Sequence, residues 1–135
     1  MADQNEWYTL IESKIFSKVS RGIEREYGSS VFCTTDEAAV TESEFPCVYI
    51  HELEGIERGM DLTNTTINAM LYNMQIDVLA TSKAECKKIL KFATSEMKAL
   101  MFNITSMPLT LQDSVDVYHG VARFRRMYGA GDKIV

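Results

Sequence analysis

The sequence predicts an α+β domain in which two helices pack on one face of an antiparallel or mixed β-sheet, in the element order α-β-β-β-α-β-β. Two segments carry apolar residues at helical spacing, several others alternate at strand spacing, and strands separate the two helical segments. A length of 135 residues is typical of one domain. We therefore expect a single domain over residues 1–135, built around one hydrophobic core.

The first helix is predicted over residues 6–27. Its apolar stripe consists of Trp7, Ile11, Ile15, Val19, Ile23 and Tyr27, each four residues from the next. Gly28 stands where a left-handed C-terminal cap is needed. A short β-prone run at residues 31–34 follows. The connection after it is acidic and is expected to be exposed; it contains Asp36, Glu37, Glu42 and Glu44.

Two strands joined by a projecting arm are predicted in the middle of the chain. Residues 47–53 are rich in β-branched and aromatic side chains. Residues 70–79 alternate, with an apolar set of Met70, Tyr72, Met74, Ile76 and Val78. The polar segment between them, residues 55–68, is too long for a tight turn and is interpreted as a hairpin connection or β-arm.

A second helix and a hairpin complete the predicted fold. Ser82 and Glu85 match a capping box, which places the helix at residues 83–101. Strands at residues 107–112 and 115–128 follow, joined by a turn at residues 113–114. The inward set of the last strand changes parity, which predicts a bulge at residues 119–120. Residues 129–135 are expected to form a flexible tail.

Composition narrows the function classes. Hydrophobic residues make up 46% and charged residues 24%, as in ordinary globular proteins. No apolar run has the roughly 18 residues that span a membrane, and the N-terminus lacks a signal-peptide pattern. We expect a soluble protein of the cytosol. Its three cysteines, Cys33, Cys47 and Cys86, are expected to be buried free thiols.

The charge balance argues against nucleic-acid binding. The formal net charge is -5 at pH 7, whereas affinity for nucleic acid comes mainly from cations that neutralise phosphates. An acidic surface would instead repel DNA that passes close by. We expect no specific nucleic-acid ligand.

No pattern for catalysis, a cofactor or a metal is present. Cys47 and His51 are the nearest pair of metal ligands, but four strand residues separate them by about 13 Å, too far for one zinc ion. No glycine-rich phosphate loop and no recognisable nucleophile motif occur. We predict no enzymatic activity, no cofactor and no metal.

Arg123, Arg125 and Arg126 form the one basic patch, which suits a protein interface better than a nucleic-acid backbone.

The chain resembles the tail terminator, or tail completion, proteins of long-tailed bacteriophages. The resemblance rests on the amphipathic first helix, the stretch Phe45-Pro46-Cys47-Val48-Tyr49-Ile50, the strand from Tyr72 to Val78 with its Ser82-capped helix, and the closing strand from Val117 to Tyr128. It covers most of the chain and consists of element order and local pattern.

The resemblance implies a structural protein of the virion. In that family, small α+β subunits form a hexameric ring at the head-proximal end of the tail tube, stop tube growth, and offer a docking surface to the head connector. It implies a homo-oligomer whose partners are the tube protein and a head-completion protein, with DNA passing only through the lumen. Another neck protein, such as a head-closure or connector protein, remains an alternative, as does a regulatory domain that binds a small molecule between sheet and helices.

A closed ring requires two different complementary patches on each subunit. We expect one patch to combine the acidic connection with the arm, and the other to use the arginines. The candidate residues are Asp36, Glu37, Glu42, Glu44, Arg58, Met60 and Asp61 on one side, and Arg123, Arg125 and Arg126 on the other.

Overall fold

A computed structural model describes residues 11–36, 46–53, 56–60, 67–114 and 117–129. Its elements are α1 (Ile11–Tyr27), a 3-10 turn (Gly28–Ser30), β1 (Phe32–Thr34), β2 (Cys47–Glu52), β3 (Ile56–Met60), β4 (Ile67–Ala80), α2 (Lys83–Ala99), β5 (Asn103–Ser114) and β6 (Val117–Gly129). The predicted α+β class and its element order are confirmed, with one strand, β3, in addition.

The six strands form one mixed sheet. Its order is β1-β2-β4-β6-β5, and β3 also pairs with β4. Only β1 and β2 are parallel; the other described pairs are antiparallel. β2 and β3 follow one another along the same side of β4, because Glu52 pairs with Met74 and Ile56 pairs with Leu71. Part of the predicted arm is therefore sheet, and residues 61–66 at its tip lie outside the described residues.

Both helices cover the same face of the sheet. The predicted stripe of α1 is buried, with Ile11, Ile15, Val19 and Ile23 each 0% exposed. The apolar set of β4, Tyr72, Met74, Ile76 and Val78, is at most 2% exposed and packs in the same cluster. The helical and strand periodicities were thus correct for the core. The predicted end of α1 and the predicted start of α2 are also correct: Gly28 has φ +68°, and Ser82 Oγ accepts a hydrogen bond from the Glu85 amide. Residues 6–10 of the predicted first helix lie outside the described residues.

The predicted second helix is two residues too long. α2 ends at Ala99, and Met101 adopts φ 69° with a side chain that is 71% exposed. The amide of Met101 donates to the Lys98 carbonyl, and that of Phe102 donates to the Met97 carbonyl. This is a Schellman cap, in which the left-handed position is normally glycine. Met101 therefore lies outside the core, because the chain changes direction at this position.

Replacing Met101 with glycine should stabilise the protein. The left-handed conformation costs an ordinary residue about 1 kcal/mol, while the exposed Met101 side chain contributes little packing. We expect a gain of about 0.5 kcal/mol in the free energy of unfolding, measured by urea titration, because glycine also gives back some entropy to the unfolded chain. Met101→Ala keeps the conformational penalty and should give no gain; equal gains for both variants would contradict this explanation.

The predicted bulge at residues 119–120 is wrong. β6 pairs with β4 without interruption from Ala69 opposite Gly129 to Ala80 opposite Tyr118, and the register shifts lie instead between β5 and β6. The inward position is Gly120, which faces α2. A Cβ there would stand 3.0 Å from both Cys86 Sγ and Leu90 Cδ2. Because Gly120 has no side chain, α2 can pack close to β6 at this position. A glycine adds nothing to a hydrophobic pattern, so periodicity could not predict this contact.

The closing hairpin is longer than predicted. β5 starts at Asn103, Ser114 pairs with Val117, and the connecting residues 115–116 lie outside the described residues. The turn predicted at residues 113–114 is therefore displaced. Gly129, assigned to the tail, is the last residue of β6 because it pairs with Ala69. Residues 130–135 are outside the described residues. Neither described helix is long and apolar enough to span a membrane.

Candidate functional site

The face of the sheet opposite the helices, named here the outer face, carries the polar side chains of the central strands. Alternation places Tyr49 and His51 of β2 on this face, since Val48 and Ile50 lie in the core. The register then adds Asp77, opposite Tyr49, and Gln75, opposite His51. Neither helix covers these residues.

An aspartate held by two histidines occupies the middle of the outer face. His51 Nε2 lies 2.9 Å from Asp77 Oδ2, and His119 Nε2 lies 3.1 Å from Asp77 Oδ1. The three side chains come from β2, β4 and β6. The Asp77 side chain is only 9% exposed, against 17% for His51 and 28% for His119. The imidazoles therefore shield a carboxylate that the strand alternation directs away from the core.

Further polar contacts extend this cluster along the sheet. The Gln75 amide nitrogen donates to Asp77 Oδ1 at 3.0 Å and Oδ2 at 3.1 Å, and Arg123 Nε donates to Gln75 Oε1 at 2.8 Å. The Tyr49 ring stacks on the His51 imidazole with centroids 4.0 Å apart. The result is a connected network across three strands, named here the outer network, that comprises Tyr49, His51, Gln75, Asp77, His119 and Arg123.

The outer network keeps Asp77 ionised. Burial alone would raise the pKa of this carboxyl group, but hydrogen bonds from His119, His51 and Gln75 favour the charged form and hold the pKa well below its ordinary value of 3.8. Both imidazoles can donate through Nε2 in a suitable tautomer, with or without a net charge. The arrangement can thus supply a fixed negative charge and two proton-carrying groups.

Exposed apolar side chains surround the outer network. Phe32 is 43% exposed, Leu111 49% and Met127 48%. The register places all three on the outer face, because they pair with Cys47, His119 and Leu71 respectively. Met127 follows Phe124 by an odd number of residues and so faces outward. Aromatic, methionine and arginine side chains on one exposed face are typical of protein interfaces.

The predicted arginine patch is divided between the two faces of the sheet. Arg123 and Arg125 are exposed on the outer face, whereas Arg126 is half-buried on the helix side. There Arg126 Nη1 donates to the Leu100 carbonyl at 2.8 Å, and its guanidinium lies 4.0 Å from the Tyr128 ring centroid. Arg126 thus satisfies a carbonyl at the end of α2. Consecutive strand residues cannot share one face, so the patch of three was wrong.

The other candidate interface residues are only partly described. Asp36 is exposed, and its amide donates to Thr34 Oγ1 at 2.9 Å. Arg58 and Met60 belong to β3, of which only the backbone is described. Glu37, Glu42, Glu44 and Asp61 lie outside the described residues.

Cysteine and metal chemistry give no second site in the described residues. Cys47 and Cys86 are buried, whereas Cys33 is only half-buried, and all three are free thiols. Burial, with smaller effects of Cys47 and Glu24, raises the pKa of Cys33 to about 11, so the reactive thiolate is scarce near neutral pH. Among the described residues, no group of three or more His, Cys, Asp or Glu could hold a metal ion.

A pair of carboxyl groups joins α1 to β2. Burial, followed by the charge of Glu12 and a hydrogen bond to it, raises the pKa of Glu52 from 4.5 to about 7. A raised folded-state pKa contributes stability that is complete below pH 4.5 and is lost as the pH rises through 7. Above neutrality the two carboxylates repel each other.

Replacing Glu52 with glutamine should therefore stabilise the protein at pH 8 and change little at pH 4.5. We expect a gain on the order of 1 kcal/mol at pH 8, after allowance for solvent screening of a half-buried group. Urea midpoints at the two pH values measure it. Glu12→Gln should give a smaller gain, because it removes the charge and the hydrogen bond of Glu12 but leaves the Glu52 carboxyl group buried; the double variant should gain no more than Glu52→Gln alone. A gain for Glu52→Gln that is the same at both pH values would contradict the raised pKa of Glu52, and no gain for Glu12→Gln would refute the pair.

Sequence reasoning considered His51 only with Cys47, placed His119 in a predicted bulge, and missed Asp77 as the partner of both histidines. The residues that meet are separated by 26 and 42 positions. The one available indication was the outward parity of Asp77 among strongly apolar neighbours. Compared with protein-family models and with curated proteins, the chain matches none of them.

Proposed function

We propose that the chain is a structural subunit of a phage or prophage virion that assembles side by side into a ring, caps the head-proximal end of the tail tube, and stops its growth. The observation that carries this proposal is the outer face of the sheet. It leaves Phe32, Leu111 and Met127 exposed on the same face as Arg123 and Arg125, and neither described helix covers them. Such a face favours coverage by another protein chain.

The interior supports a structural role more than a binding one. A regulatory small-molecule domain would hold its ligand between sheet and helices. In the described residues that space is filled by apolar side chains, among them Met74, Ile76, Phe124 and Met97, each 0% exposed. Close packing of this kind leaves the outer surfaces as the place for function.

The free edge of β3 offers a second contact. In the described part of the sheet, β3 pairs with β4 and with no other strand. An edge strand presents unpaired backbone groups that can receive a strand or loop of a neighbouring chain. An exposed face and an edge without a second described strand partner are two different surfaces, as the heterologous contacts of a ring require.

Assembly with the tube protein of the same phage or prophage tests the proposal. Tubes polymerised with increasing amounts of this chain should become shorter and carry a ring at one end in negative-stain micrographs. Rings that form but bind only the head connector would favour the alternative of a neck protein. Unchanged tube length together with a monomeric chain would refute both.

Met127→Glu tests the part played by the outer face. A charged side chain there should weaken ring formation on the order of 100-fold in native mass spectrometry, because a buried unpaired charge costs several kcal/mol. Met101→Glu is the matched control, since Met101 is also exposed but lies at the end of α2. Equal effects of the two substitutions, or none, would rule out the outer face as the contact.

A further inference from the structure

Charge is segregated within the chain. The two helices hold nine of its fourteen Lys and Arg residues but only five of its nineteen Asp and Glu residues. The cations are Lys14, Lys18, Arg21 and Arg25 in α1, and Lys83, Lys87, Lys88, Lys91 and Lys98 in α2. A chain with net charge -5 therefore has a helix layer with a positive surface and a remainder that is strongly negative.

Four of these cations form one row along α1. Lys14, Lys18, Arg21 and Arg25 follow one another at spacings of four, three and four residues, which places them on one side of the helix. An open groove of about 830 Å³ follows that side; the described residues that line it are Ser13, Lys14, Ser17, Lys18, Arg21, Glu24 and Arg25. Within the described residues, none of the four cations forms an ion pair. We name this surface the basic side of α1.

A matching negative segment exists in the same sequence. Asp36, Glu37, Glu42 and Glu44 fall within nine residues that contain no Lys or Arg. A groove lined by four cations and one carboxylate, Glu24, suits a segment with four carboxylates, because complementary charge fixes register and orients approach. Nucleic acid fits less well, since a net charge of -5 would repel the polyanion from most of the surface.

We propose that the basic side of α1 is the docking surface for the acidic segment 36–44 of a second copy of this chain. The inference rests on the proposed ring assembly and specifies one of its contacts. In this contact the cations of α1, which have no described partner, take the role that the sequence analysis gave to Arg126. Arg126 itself donates to the Leu100 carbonyl at the end of α2 in its own chain. Each subunit then gives an acidic segment to one neighbour and receives one from the other, as in a head-to-tail ring.

A charge-swap experiment tests the contact. One variant, Lys18→Glu with Arg21→Glu, reverses the charge at two positions on the basic side of α1. The other, Glu42→Lys with Glu44→Lys, reverses the charge at two positions in the acidic segment. Each variant alone should associate on the order of 100-fold more weakly than the wild type at low ionic strength, since like charges would face each other. An equimolar mixture should recover oligomers in which the two variants alternate, and a single chain carrying all four substitutions should recover them alone.

Native mass spectrometry with one variant labelled by nitrogen-15 measures the composition of the oligomers. Recovery in the four-substitution chain without recovery in the mixture would mean that the acidic segment binds α1 of its own chain, which overturns the inference. Wild-type association by both variants would overturn it too, while the ring itself and the proposed function would stand. A wild type that forms no oligomer even with tube protein would refute the proposed function. Circular dichroism confirms that each variant is folded, because the substituted side chains of α1 lie outside the core.

Discussion

Replacing Gly120 with valine should destabilise the protein by about 3 kcal/mol, the upper end of the usual cost of overpacking a core. A Cβ at this position would already stand 3.0 Å from Cys86 Sγ and Leu90 Cδ2, and valine adds two further methyl groups. Neither neighbour can retreat, since Cys86 is 0% and Leu90 2% exposed. We therefore expect α2 to be displaced from the sheet, with a lower urea midpoint and a lower melting temperature.

Gly22→Ala is the matched control for Gly120. A Cβ at Gly22 would meet the carboxyl group of Glu96 at 2.8 Å, but this is the end of a flexible side chain that can rotate away. Alanine also has a helix propensity about 1 kcal/mol better than glycine. Gly22→Ala should be neutral or slightly stabilising, and Gly120→Ala should cost about 1 kcal/mol. Similar effects at both glycines would show that close approach of α2 is not what position 120 requires.

Local periodicity was sufficient to predict the core stripe of α1 and the two faces of β4. The stripe of α1 and the alternation of β4 depend only on which residues must leave water, and residues such as Ile15 and Ile76 are fully buried as expected. The same alternation predicts the face of Arg126, because Arg126 follows Phe124 by two residues and must lie on the same face. The prediction of one patch from all three arginines did not apply that relation.

The outer network could not be predicted in the same way. Parity states that Asp77 faces away from the core, but the identity of its neighbours depends on how β2, β4 and β6 are ordered and aligned. A shift of one residue in either pairing would move His51 or His119 to the other face. Long-range register is fixed by the packing of the whole core, and no local pattern near His51, Asp77 or His119 records it.

Asp77→Ala should cost about 3 kcal/mol at pH 7, because it removes the shared acceptor of three side chains and leaves their donors partly buried. The contribution of Asp77 depends on pH with a definite sign. Because its folded-state pKa lies below the ordinary 3.8, the stabilisation is complete above that value and is lost as the pH falls further. The difference in urea midpoint between wild type and variant should thus shrink as the pH falls below 3.8.

Gln75→Ala distinguishes the contribution of the Gln75 amide from that of the Asp77 carboxylate. It deletes the amide that donates to Asp77 and the acceptor for Arg123, but both imidazole contacts to Asp77 remain. We expect it to cost about 1 kcal/mol, the usual value for an exposed or half-buried hydrogen-bonding group.

A double-mutant cycle between Asp77→Ala and His119→Ala should give a coupling energy of at least about 1 kcal/mol, because the two groups contact directly. If Asp77→Ala cost no more than Gln75→Ala and showed no coupling, the two histidines would not be what holds the carboxylate in place, and the pKa of Asp77 would have to be near its ordinary value.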